Sequence, residues 1–168
     1  MRASSGSAII WYIRDKPNAT ARGAITATKF VRDRAAGTTT RVSVSSSGVQ
    51  GNGISSVPSI SADGRYIVFE SYADNITPGD DNLVKDVFLR DTELGTTIRV
   101  SVSSSEADGN ALSGGGRVSG DGRYVAFYSD ATNLVPGDTN GATDIFVHDQ
   151  VNFTDHPGQC PDIYVHSG

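Results

Sequence analysis

Asp138-x-Asn140-x-x-x-Asp144 and Asp80-x-Asn82-x-x-x-Asp86 set oxygen-bearing side chains at intervals along two glycine-containing loops, with Asp81 beside the second. A hard cation such as calcium takes six to eight oxygens in a flexible shell. These residues are therefore candidate ligands, and calcium is the candidate cofactor. The ligand set is incomplete. The fifth position is Ala142 or Val84 and no bidentate glutamate follows, so the loops depart from the EF-hand pattern. The competing account has the same Asp and Asn side chains bonding their own backbone in Asx-turns. A second constellation lies near the C-terminus, where all three histidines and the single cysteine fall: His148, His156, Cys160 and His166. Imidazole and thiolate together suit zinc. No pair among them has a short zinc-binding spacing, and packing or solvated roles compete.

Other candidates reduce to structure. Asp63 and Asp121 each precede a glycine where a hairpin turn is expected. Asp91 and Asp149 close a strand after Arg90 and His148, where capping or an ion pair between units is the default. Arg65, Arg123, Arg41 and Arg99 are the expected partners, their stems lying on sheet surface. The serines form no Gly-x-Ser-x-Gly nucleophile motif. Gly114-Gly-Gly116 reads as a loop, without the lysine or the helix of a phosphate-binding loop. No catalytic residue is assigned, and the chain reads as a non-enzyme.

The elements that must hold these loops form a repeat. Ser61-Ala-Asp63-Gly64-Arg65-Tyr66-Ile67-Val68-Phe69 returns as Ser119-Gly-Asp121-Gly122-Arg123-Tyr124-Val125-Ala126-Phe127, a step of 119 − 61 = 58 residues. Gly37 to Ser45 returns as Gly95 to Ser103, and the tripeptides ending at Asp33, Asp91 and Asp149 keep the same step. Such a period is that of a propeller blade or a solenoid coil. The chain reads as one repeat domain: a degenerate copy over 5–61, copies over 62–119 and 120–150, and a divergent tail over 151–168. In the degenerate copy Arg22, Ala24 and Thr28 replace the loop oxygens.

Each copy predicts four strands. In the second these are Val57–Ser61, Arg65–Ser71, Asp86–Asp91 and Thr96–Ser103. The near-continuous apolar run after Arg65 suits a strand buried on both faces. The alternation of Val100 and Val102 with serines suggests one buried and one wet face. Ser104–Gly116 is the expected link to the third copy, with strands over Arg117–Ser119, Arg123–Ser129 and Asp144–Asp149. In the first copy Ile9–Ile13 and Lys29–Asp33 are the expected strands. Asp162–His166 echoes Asp144–His148 and is a candidate for the missing outer strand of the last unit.

The chain has 168 residues, of which 37% are hydrophobic, and the shortfall is filled by Ser, Thr, Gly, Asn and Asp. These residues compete for helical backbone hydrogen bonds and favour turns between short strands. A formal net charge of −5 argues against a nucleic-acid partner, which would want a clustered basic face. No segment is apolar enough for membrane insertion. Ala8–Ile13 is too short for a signal-peptide core and reads as a strand, so a secreted protein would carry its leader outside this chain. The lone Cys160 excludes an intrachain disulfide and leaves the compartment open.

The pattern Pro58-Ser-Ile-Ser61-x-Asp63-Gly64-Arg65-Tyr66-x-x-Phe69-x-Ser71, followed by Asp86-Val-Phe-Leu-Arg-Asp91, resembles the TolB-like (WD-like) β-propeller repeat of bacterial envelope and secreted proteins. The resemblance covers roughly residues 5 to 149. It is weakest in the first copy, where Ser5 replaces the turn aspartate and Ala8 the tyrosine. It implies an all-β partial propeller of about three four-stranded antiparallel blades, and an extracellular or periplasmic setting. Propellers need about four to eight blades, so the expected partners are copies of the chain itself, completing a ring, or other blades of a longer protein. The function that follows is a non-enzymatic binding or scaffolding module recognising a protein or glycan surface through its loops. The alternatives are a self-assembling structural extracellular protein joined through exposed blade edges, and the propeller portion of a larger hydrolase.

Overall fold

The computed structural model describes residues 9–14, 27–150 and 163–166, with side chains described from residue 28 to residue 150. Its described elements are all strands: β1 (Ile9–Arg14), β2 (Ala27–Asp33), β3 (Thr38–Arg41), β4 (Ser55–Ile60), β5 (Tyr66–Ser71), β6 (Asp86–Asp91), β7 (Thr96–Arg99), β8 (Ser113–Val118), β9 (Tyr124–Ser129), β10 (Asp144–Asp149) and β11 (Ile163–His166). They form three sheets in the orders β1-β2-β3, β4-β5-β6-β7 and β8-β9-β10-β11, with every strand pair antiparallel. The sheets are offset from the sequence copies, since β4 lies within residues 5–61 yet is the innermost strand of the second blade. No described helix is long and apolar enough to cross a membrane.

The hairpins form for local reasons that recur at the repeat step. Gly64 and Gly122 adopt φ of 79° and 81°, a region an L side chain resists. The preceding Asp63 and Asp121 accept the Arg65 and Arg123 amides at 3.0 and 3.1 Å. At the next hairpin Asp33 accepts the Ala35 and Ala36 amides, and Asp91 those of Glu93 and Leu94, at 2.8 to 3.0 Å.

Packing between blades makes the core. In β5, Ile67, Val68, Phe69, Glu70 and Ser71 are all buried, as the unbroken apolar run predicts for a middle strand. Phe69 stacks on Phe88 with ring centroids 5.7 Å apart, and Phe127 on Phe146 at 5.6 Å. A cluster of Val68, Val87, Leu89, Val125, Phe127 and Phe146 fills the junction of the second and third blades. Across it, β8 lies directly on the second sheet. A Cβ on Gly116 would come within 2.4 Å of Val68 Cγ1 and 2.7 Å of Val87 Cγ1.

Gly114–Gly116 is therefore inner strand and not loop. Its lack of side chains is what lets two blades meet. A bulge interrupts β8 between Gly114 and Arg117, and β4 between Ser56 and Ser59. Gly115 takes the positive φ that the bulge needs, while in β4 Val57 takes it, at 45°. A β-branched side chain there stores about 1–3 kcal/mol of strain.

Two further expectations change. The outer strand β7 ends at Arg99, and Val102 beyond it makes only an isolated bridge to Asp108. The serines beside the valines are buried rather than wet, because they serve buried backbone and carboxylate groups. Ser101 Oγ donates to Asp86 at 2.6 Å and accepts the Val87 amide at 3.1 Å. Finally, β11 pairs antiparallel with β10, with Ile145 opposite His166 and His148 opposite Ile163, so the tail does supply the fourth strand.

Candidate functional site

The acidic loop of the second blade converges on an arginine. Arg99, at the end of β7, is buried, and its Nη1 lies 3.2 Å from Asp80 Oδ1 and 3.6 Å from Asp86 Oδ2, while Nη2 meets Asp108. Asp86 is fully buried and also receives Ser101 and the Asn82 amide, at 2.6 and 3.3 Å. Asn82 turns its Oδ1 to the Val84 amide at 3.0 Å and its Nδ2 to the Gly109 carbonyl at 3.0 Å. Burial, then the neighbouring Asp86 charge, pushes Asp80 up to about 6. Burial likewise raises Asp86. The oxygens that would cage a calcium ion thus surround a guanidinium, which supplies the positive charge.

In the third blade Asn140 Nδ2 lies 3.2 Å from both carboxylate oxygens of the buried Asp144, and Asn140 Oδ1 accepts the Ala142 amide at 2.8 Å. Asp138 is half-buried on the same loop. The arginine position falls on Pro157, outside the described residues. No group of three or more His, Cys, Asp or Glu among the described residues is arranged to hold a metal.

The histidine constellation is partly in view. His148 is buried on β10, neither ring nitrogen has a hydrogen-bond partner among the described residues, and burial drives its pKa down to about 4. The backbone of His166 lies on β11, while His156 and Cys160 lie outside the described residues.

Arg65 grips Asp91 through Nε and Nη2 at 3.0 and 2.7 Å, and Arg123 grips Asp149 at 3.0 and 2.8 Å. Each guanidinium also lies over the next tyrosine ring, 4.9 Å from the Tyr66 centroid and 4.8 Å from that of Tyr124. Burial works to raise Asp91, but Arg65 and two backbone amides outweigh it and hold the carboxyl low. The expected pairing of arginines with these acids therefore holds for Arg65 and Arg123. It fails for Arg99, which serves the acidic loop, and for Arg41, which meets Gln50 and lies over Phe30 at 5.3 Å. Between the two ion pairs runs a groove of about 420 Å³ with Tyr66, Leu89, Leu94 and Ile98 in its wall.

A polar hub at the blade junctions was not singled out from the sequence. Buried Glu70 accepts Ser56 Oγ at 2.7 Å and the Gly115 amide at 3.1 Å, and pairs with Lys85 at 3.1 Å. Lys85 donates to Tyr128 OH at 3.2 Å. Burial brings the nearby Lys29 ammonium of the first blade down to about 8, against the opposing pull of Glu70. The signal was a break in the repeat: Glu70 becomes Tyr128 and Lys85 becomes Thr143 one step later.

No protein-family model and no curated protein matches the sequence. Among solved structures the chain is similar to TolB from Acinetobacter baumannii, with a TM-score of 0.55 and 16% identity, over 98% of this chain and 32% of that one. It is also similar to a structure described as TolB from Agrobacterium tumefaciens, with a TM-score of 0.51 and 17% identity, over 94% of this chain and 45% of that one. This chain thus spans less than half the length of either. At such identity the likeness is one of fold: three consecutive sheets of a TolB-like β-propeller.

Proposed function

We propose that the chain is a non-enzymatic binding or scaffolding module that recognises a protein or glycan surface through the connections at one end of its sheets. The carrying observation is that five of the eight large exposed apolar side chains among the described residues lie at one end, while Leu94 lies at the other and Tyr124 and Ile145 on the third blade's strands. Antiparallel order puts the β3–β4, β5–β6 and β7–β8 connections at the same end of the blades. Val49, Ile54, Tyr72, Leu83 and Leu112 all sit on them, with Leu83 76% and Tyr72 56% exposed. A contiguous apolar patch on a folded surface marks an interaction site, and these five side chains share the end where one would form. The charged side chains, by contrast, are largely engaged in turns, ion pairs and the Arg99 cluster. On this reading the protein works in the periplasmic or extracellular space that the family resemblance implies.

Protein and glycan arrays probed with the chain and with its Tyr72→Ala/Leu83→Asp variant provide the test. Signals that vanish in the variant are expected. Equal binding by both, or no binding by the parent chain, ends the reading.

A further inference from the structure

The described sheets make one kind of contact twice, and the matching outward positions of the first and third sheets are more exposed. On the second blade Val68 and Val87 are fully buried and Leu89 is 3% exposed, because β8 of the third blade covers them. Gly122 meanwhile lies against the Tyr66 ring. One repeat later the same positions are Ala126, Ile145, Val147 and Tyr124. Here Ile145 is 51% exposed and Tyr124 37%, while Ala126 and Val147 are only half-buried. At the other end Phe30 holds the position of Phe88 and Phe146. Phe146 is fully buried among Val68 and Val87 of the second blade and Phe88 is fully buried too, whereas Phe30 is half-buried.

We propose that the outward faces of the third and first blades are the two halves of one interface, and that a second copy of this chain occupies each. The contact is head to tail. It continues the junction already formed between the first and second and between the second and third blades, so the partner's surface is specified by the repeat itself. A head-to-tail contact either closes or grows into a filament. Two chains of three sheets make six blades, within the about four to eight at which propellers close. The proposal deepens the binding reading and rests on it for the ring's role, since closure would bring two sets of connections to one platform.

Sedimentation of the parent chain over a wide range of concentration is the experiment, and a particle of two 17.6 kDa chains is the expected result. Ile145→Asp, an exposed position that leaves the folded chain intact, should raise the dissociation constant about a hundredfold or more. Leu83→Asp, at the loop end, should leave it unchanged. A Phe30→Asp variant sharpens the geometry: with Ile145→Asp it should form a mixed pair through the one intact junction, though neither pairs alone. If it does not fold, the Ile145 comparison stands without it.

Single chains at every concentration, open-ended particles, or a dimer indifferent to Ile145→Asp each overturn the proposal. The first of these would leave the face to a further repeat. A monomer that still binds on the arrays sinks the ring and leaves the binding reading standing. A dimer that binds nothing does the reverse.

Discussion

In the second blade Glu70 and Lys85 form a buried pair and Arg90 donates to the Ser45 carbonyl and Thr97 hydroxyl at 3.2 and 3.0 Å. In the third blade the same three positions are Tyr128, Thr143 and His148. The inner strands also differ, SSVPSI against SGGGRV, but the framework around them is kept. The stacked phenylalanines, the arginine–aspartate pair, the Asp-Gly turn and the serine bridging the two inner strands recur, with Ser55 to Ser71 at 3.1 Å and Ser113 to Ser129 at 2.8 Å. What repeats is what builds a blade. What varies is what each blade meets: the second is clasped on both sides, and the matching positions Tyr124 and Ile145 of the third are exposed. The comparison assigns roles that a single blade could not.

The largest test of it lies in the acidic loop. Arg99→Met in the second blade strands Asp80, Asp86 and Asp108 without their cation. Breaking a buried ion pair from one side costs about 3–5 kcal/mol, and urea denaturation should show a loss of that order. A loss under about 1 kcal/mol would mean that the loop does not depend on the guanidinium. The second blade would then hold its acids as the third does.

Next comes the titration of His148. Its folded pKa of about 4 lies below the ordinary value of 6.5, so the folded state binds the proton less readily than the unfolded chain. The neutral imidazole costs nothing above pH 6.5. The contribution of His148 falls as pH drops from 6.5 towards 4, by about 3 kcal/mol at about 1.4 kcal/mol per unit, while Asp80, raised to about 6 from its ordinary 3.8, contributes the opposite slope over much of that range. His148→Leu removes the imidazole's share alone, so the stability of the parent minus that of the variant should fall by about 3 kcal/mol between pH 6.5 and 4. A difference between parent and variant that stays level across this range would show that the buried imidazole does not resist its proton.

The sequence made the blade legible because its signals are local and doubled. The Asp-Gly turns, the apolar run of β5 and the Asp86–Asp91 strand were all readable, and the 58-residue step transferred each to the next copy. Contacts between blades were less legible. Gly114–Gly116 looked like a loop because an inner strand made of glycine has no pattern of its own, and only Val68 and Val87 across the junction explain it. The calcium reading saw the oxygens of Asp80, Asn82 and Asp86, but could not see that Arg99 comes from a strand thirteen residues past Asp86 (99 − 86 = 13) to fill their centre. Ser101 looked wet because alternation records polarity, and a buried hydroxyl that serves Asp86 is polar too.

Gly116→Val probes the junction with a smaller effect. The new side chain must push Val68 and Val87 apart from a Cβ position already inside contact distance. Overpacking of this kind costs about 1–3 kcal/mol. The loss should be recovered in part by Val68→Ala, which opens the space on the facing blade. Additive losses in the double variant would show that β8 does not bear on the second blade at Val68.

Calcium should produce the smallest change. In the second blade the guanidinium already balances Asp80 and Asp86, and a divalent ion would have to displace a buried cation held by three carboxylates. In the third, Asn140 holds Asp144 in an Asx arrangement through its own amide. The expected thermal midpoint is therefore the same in excess calcium and in chelator. Arg99→Met is the sharper arm, because it frees Asp80, Asp86 and Asp108 together. A midpoint that rises with calcium only in that variant would show that arginine and metal compete for one site. A rise in the parent chain that survives Asp80→Asn and vanishes with Asp144→Asn would instead move the cation to the third blade, where no described arginine stands in its way.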